Sequence, residues 1–173
     1  MQIDEIARKG NAFCEWYNTY MHEVPVVMMK MIETEYGKTA QLKTSGADPF
    51  VFNMDVVNMD VRAVEGYSYS AEIFGLCINL SANYESLSEP DRDDLIASGL
   101  FEREAEDSSH AWISGIVQEV MKDDRNEEEI RTSVLIRVRN IEMILFAEEP
   151  AYMEPGYRVQ ASVLLYGNLL HSK

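Results

Sequence analysis

"PVVMMKMIETEY", residues 25–36, is the stretch on which the fold class turns. Pro25 suits a first helical position, and Gly37 suits the residue just past a helix end. Val26, Val27, Met28, Met29, Met31 and Ile32 leave few polar directions around a helical wheel. At a period of 3.6 residues the segment therefore reads as a helix that must be covered nearly all round. Met28 and Met31 then lie in the core, in a homodimer interface or on a partner-binding face, because Met side chains adapt to varied neighbours.

The preceding segment, 2–21, also reads as a helix. Ile3, Ile6, Ala7, Phe13, Cys14, Tyr17 and Met21 recur at three- and four-residue spacing, with Asp4, Glu5, Arg8 and Glu15 opposite. Cys14 sits inside the apolar stripe, as a small core hydrophobe does. The N-terminal part is thus expected to be a helix pair packed on a sheet.

Strand texture follows. "FVFNMDVVNMDVRAV", 50–64, states Asn-Met-Asp-Val twice, at 53–56 and 58–61. Apolar residues alternate on even positions up to Val56 and on odd positions from Val57. A β-bulge at that point keeps one apolar face and sends Asn53, Asp55, Asn58 and Asp60 to the other. The two aspartates would stand about 13–16 Å apart along a strand, too far to share one cation. A bulged strand is expected, and no metal site. Residues 69–80 read as an interior strand, apolar on both faces. Residues 89–99 read as a helix, with Pro90 in the first turn and acids at its positive end.

From residue 108 the pattern is almost all strand: 111–121, 132–139, 141–147 and 157–167, with "DDRNEEE" (123–129) as a charged loop. This glycine-bearing set of four or five strands in about 60 residues resembles the OB-fold, a small Greek-key barrel, and an SH3-like barrel or an open antiparallel sheet would read almost the same. The resemblance is one of strand order only. The expected fold is α+β: an acidic region, 1–107, and a barrel-like β module, 108–173, which together make one domain or two small ones sharing a core. If the module is OB-like, Arg137, Arg139, Arg158 and Tyr166 form its outward ligand face.

Charge is the strongest global signal. Fifteen Lys and Arg face thirty Asp and Glu, a net of −15. Residues 1–107 hold twelve of those fifteen net charges. Such a surface repels phosphate backbones and anionic lipid, so nucleic acid and membrane are not the expected partners. The N-terminus lacks a basic stretch followed by an apolar run, and no apolar run nears the ~20 residues of a membrane span. A soluble cytoplasmic chain is the expectation. The two cysteines are far apart and never cluster with His, so neither a disulfide framework nor a zinc knuckle is indicated. Nucleotide-binding glycine loops, nucleophile elbows and zincin motifs do not occur.

These readings converge on a non-catalytic interaction protein without a cofactor, binding a protein partner, a basic one being the best match to its charge, or a second copy of itself. The acidic run 88–107 is the expected contact patch: Asp91, Asp93 and Asp94 steer, while Leu95, Leu100 and Phe101 anchor. The alternatives are an oligonucleotide-binding module and an enzyme with a dispersed site.

Overall fold

The protein is described from a computed structural model over residues 22–34, 37–58, 62–83, 93–101, 108–121, 132–148 and 152–171. Nine strands are present there: β1 (Glu23–Thr34), β2 (Gly37–Thr44), β3 (Val51–Val56), β4 (Ser68–Asn83), β5 (Asp94–Ala97), β6 (His110–Val120), β7 (Thr132–Val138), β8 (Ile141–Ala147) and β9 (Arg158–His171). A four-residue helical turn, α1 (Ser98–Phe101), follows β5. Strand makes up 73% of the described residues, and they contain no helix pair. The α+β expectation is therefore corrected to all-β. The expected helix 2–21 lies outside the described residues.

The segment expected as the second helix is β1. Val24, Val26 and Met28 alternate inward and are buried, while Pro25 and Met29 are exposed. Opposite β2, the register steps from Met28↔Leu42 to Lys30↔Gln41, so Met29 is the extra residue of a bulge. The bulge shifts the alternation and brings Met31, opposite Ala40, against the same core. A strand with a mid-length phase shift shows apolar residues in every helical direction. That is why the wheel looked apolar all round. The expected helix at 89–99 is overturned likewise where it is described, since Asp94–Ala97 is strand. Of the strand expected over 50–64, β3 covers Val51–Val56, residues 57–58 and 62–64 are not strand, and 59–61 lie outside the described residues.

All nine strands form one sheet, ordered β1-β2-β3-β9-β4-β8-β7-β6-β5, with further pairings β1–β4 and β9–β6. These extra pairings close two five-stranded rings. One runs β1-β2-β3-β9-β4 and returns to β1. The other runs β4-β8-β7-β6-β9 and returns to β4. The long strands β4 (16 residues) and β9 (14 residues) belong to both. They pair antiparallel from Tyr69↔His171 to Asn83↔Arg158. On its other edge β9 meets β6 through 158–164 and β3 through 166–167, the latter parallel. The strands expected after residue 108 are all present, but their ring closes only through β4, as a parallel β4–β8 pair. A self-contained OB-like or SH3-like barrel is therefore not what they build.

One face of the β4–β9 ribbon looks into both rings. Tyr69, Ala71 and Ile73 of β4, and Val159, Ala161, Val163, Leu165 and Leu169 of β9, join a single apolar cluster with Met28, Leu42, Phe52 and Met54 on one side and Val134, Ile136, Ile141 and Met143 on the other. The opposite face carries a smaller cluster in which Phe74 stacks on Tyr166 and meets Phe146 edge-on. At the crossing point stands Gly167, where a Cβ would collide with the Glu72 carbonyl oxygen. Only glycine lets β9 pass from β6 to β3 there while staying paired to β4. No helix among the described residues is long and apolar enough to cross a membrane.

Candidate functional site

The outer face of β5, β6, β9 and β4 follows from the register. Directly opposed residues of antiparallel strands share a face. Ile96↔Trp112, Trp112↔Ser162 and Ser162↔Asn79 therefore form one row across four strands. Asp94↔Ser114, Ser114↔Gln160 and Gln160↔Ser81 form the next. Along β6 the inward residues are Ala111, Ile113 and Val117, so the strand's tryptophan is left on the outside. Trp112 is 49% exposed and Ile96 beside it 46%. Together these rows line an open groove of about 480 Å³.

The polar rows are held from one end, where Arg158 stands two residues before Gln160 on the same face of β9. Arg158 is only 4% exposed, and its guanidinium donates to Asp93 at 2.9 Å and to the Ser114 hydroxyl at 3.0 Å. Its charge is thus matched by a carboxylate rather than offered to a ligand. Asp94 accepts from the Leu95 amide at 2.8 Å and lies 3.5 Å from Arg139. At the groove's end His110 bridges two buried serines. Its Nδ1 is 2.5 Å from the Ser98 hydroxyl and its Nε2 is 2.5 Å from the Ser162 hydroxyl. Trp112 packs edge-on to this imidazole, which fixes the indole's position.

The residues singled out from sequence are distributed differently. Met28 is wholly buried inside the first ring, and Met31, half-buried, packs against the same core. Leu95 is buried, while Leu100 is exposed. Asp91 and the Phe101 side chain lie outside the described residues. Asp93 and Asp94 flank the groove, engaged by Arg158 and Arg139. The four residues expected on an outward ligand face do not make one. Arg137 is exposed, Arg139 lies over the Phe50 ring, and Arg158 and Tyr166 are buried. Trp112 and Ile96 were missed. The available signal was a tryptophan at the polar-phase position of an alternating strand, between His110 and Ser114.

The repeated Asn-Met-Asp proves to be a tether. Asn53 donates to the Ser108 carbonyl at 3.1 Å, and Asp55 accepts from Thr39 at 2.6 Å and from Ser109 at 2.9 Å. Asn58 makes two bonds to the Leu169 backbone, extending the β3–β9 pairing with a side chain. Asp60 lies outside the described residues. Cys77 is half-buried, and burial pushes its thiol up to about 12. Among the described residues no three His, Cys, Asp or Glu side chains converge as a metal site.

Comparison with family models, with curated proteins and with solved structures gives no match for this chain.

Proposed function

We propose that this protein is a non-catalytic binding protein that takes its ligand in the Trp112 groove. The observation that carries this reading is the half-exposed Trp112 and Ile96 pair set among two rows of polar side chains, of which Ser114, Ser162 and Asp94 are held by hydrogen bonds. Exposed aromatic groups next to convergent hydrogen-bonding groups are the usual anchors of recognition sites. The volume, about 480 Å³, is that of a small-ligand site.

The enzyme alternative has one observation in its favour. Ser162, His110 and Ser98 are spaced like a nucleophile, a base and its orienting group. Against it stands the setting of Ser162. It lies in mid-strand, paired to Trp112 on one side and to Asn79 on the other. A backbone engaged in ladders on both sides has no amide to spare for an oxyanion, the largest single contribution to acyl-transfer catalysis. The chain of hydroxyls and imidazole instead serves to fix the groove.

The test is a comparison of three forms of the whole chain immobilised in a cell extract: parent, Trp112→Ala, and Tyr152→Ala as an exposed aromatic outside the groove. A bound species retained by the parent and by Tyr152→Ala, but lost from Trp112→Ala, is the expected result. Equal retention by all three would remove the groove from consideration. Hydrolysis of a p-nitrophenyl ester that disappears in Ser162→Ala would restore the enzyme reading.

A further inference from the structure

The groove's geometry points to a neutral oligosaccharide as its ligand, an inference that rests on the groove being the ligand site. Among the described residues the polar side chains that line it are Asn79, Ser81, Ser114, Gln160 and Ser162, all uncharged, together with one carboxylate, Asp94. Amides and hydroxyls offer both donors and acceptors. That is the complement of a ligand whose own groups, like sugar hydroxyls, both donate and accept. Trp112 with Ile96 adds a flat apolar platform on one side, suited to the C–H face of a saturated ring. An apolar lipid would cover the polar rows without satisfying them, at a cost for every group left unpaired.

Charge separates this ligand from the other stacking ligands. Nucleic acid also stacks on exposed aromatics, but it needs cations along its path. Among the described residues no Lys or Arg lines the groove, Arg158 in the next row of the same face is matched by Asp93, and the chain carries a net −15. A cationic peptide would need free carboxylates. Among the described residues the lining carboxylate is Asp94, which already accepts from the Leu95 amide and lies 3.5 Å from Arg139.

Spacing agrees. Four strands at about 4.8 Å make a platform about 14 Å wide, and same-face residues repeat about every 6.8 Å along each strand. A pyranose ring is about one strand spacing across. The groove thus has room for a short run of sugar rings, crossing the strands from Ile96 and Trp112 toward Asn79. Being open, it suits an internal stretch of a chain rather than only an end.

The experiment is isothermal titration of the whole chain with cello-, xylo-, manno-, malto- and chitohexaose, with dT10 and pentalysine as charged probes. Saturable binding of at least one hexasaccharide is expected, unchanged between low and high salt because no ion pair forms. Trp112→Ala should weaken it about tenfold or more, and Trp112→Phe, which keeps a ring platform, by less. Gln160→Ala should weaken it too, and Tyr152→Ala should not. Melting temperatures of the variants within a few degrees of the parent's would exclude a folding defect as the cause. Saccharide binding that survives Trp112→Ala would overturn the assignment to this groove. Trp112-dependent binding of dT10 or pentalysine instead, or of a protein recovered in the capture comparison, would overturn the saccharide while leaving the groove a ligand site. Failure of every probe together with equal capture by all forms would overturn both.

Discussion

Asp93 is the residue whose role differs most from its reading as a surface acid. It lies against a guanidinium almost wholly removed from water, and it is the partner that makes that burial tolerable. Removing one member of a buried pair leaves the other charge uncompensated, which costs about 3–5 kcal/mol. Asp93→Asn is therefore expected to destabilise the protein by about 3 kcal/mol, read from urea unfolding. A neutralisation series designed to weaken an acidic docking patch would instead report this loss. Cys77 supplies a second expectation. Its folded thiol is raised from 9.0 to about 12 by burial. The unfolded chain thus gives up the proton first as pH rises. The contribution of this thiol to stability is whole below about 9 and is lost between about 9 and about 12. In a Cys14→Ser background, a disulfide reagent at pH 8 should label the folded protein far more slowly than the urea-unfolded one. Equal rates would show the thiol to be open to solvent.

At the scale of the element, β1 shows how a strand can pass for a helix. Apolar periodicity decides between the two only while the phase is constant. A one-residue bulge at Met29 breaks the phase, and the sum of two strand patterns fills the helical wheel. Pro25 and Gly37 then seemed to be helix punctuation. In the structure Pro25 stands at an exposed position near the start of β1, and Gly37, with φ of 147°, begins β2. The two structures make opposite demands on neighbouring residues. In the strand, Met28→Asp buries an unpaired carboxylate and should cost about 4 kcal/mol, whereas Met29→Asp on the bulge should stay within about 0.5 kcal/mol. Thermal unfolding of both variants checks it; similar large losses from each would return the segment to a helix enclosed on all sides. β7 and β8, without a bulge, were legible to within a residue, since a constant period of two and a tight turn at Arg139–Asn140 leave one register.

At the scale of the whole molecule the two rings are not independent. β4 and β9 form part of each, and one apolar cluster runs through both interiors. Opening either ring would bare apolar surface on a ribbon that the other ring also needs. Unfolding is therefore expected to be a single cooperative transition. Hydrogen exchange should give the slowest amides of β2 and of β7 the same opening free energy, within about 0.5 kcal/mol. A gap of several kcal/mol between them would mark two separately stable units. The groove depends on the same architecture. Its four strands come from three distant parts of the sequence, residues 79–81, 94–114 and 160–162, and only the β6–β9 and β4–β9 registers align their side chains in rows.

The sequence by itself determined the local quantities: the apolar, alternating strands 69–80, 111–121, 132–139, 141–147 and 157–167, and the strongly acidic balance. Each depends on neighbours within a few residues. The tertiary structure alone decided the rest. Whether 25–36 was helix or strand turned on a partner, β2, that supplies the ladder and the bulge. Which of many carboxylates is structural turned on the depth of Arg158. That Trp112 belongs to a groove turned on strands paired across more than eighty residues of sequence, as with Asn79 and Ser162. Alternation tells which side chains leave the core. It does not tell which other strands' side chains they will meet, because register between distant strands is fixed by packing that no local pattern records.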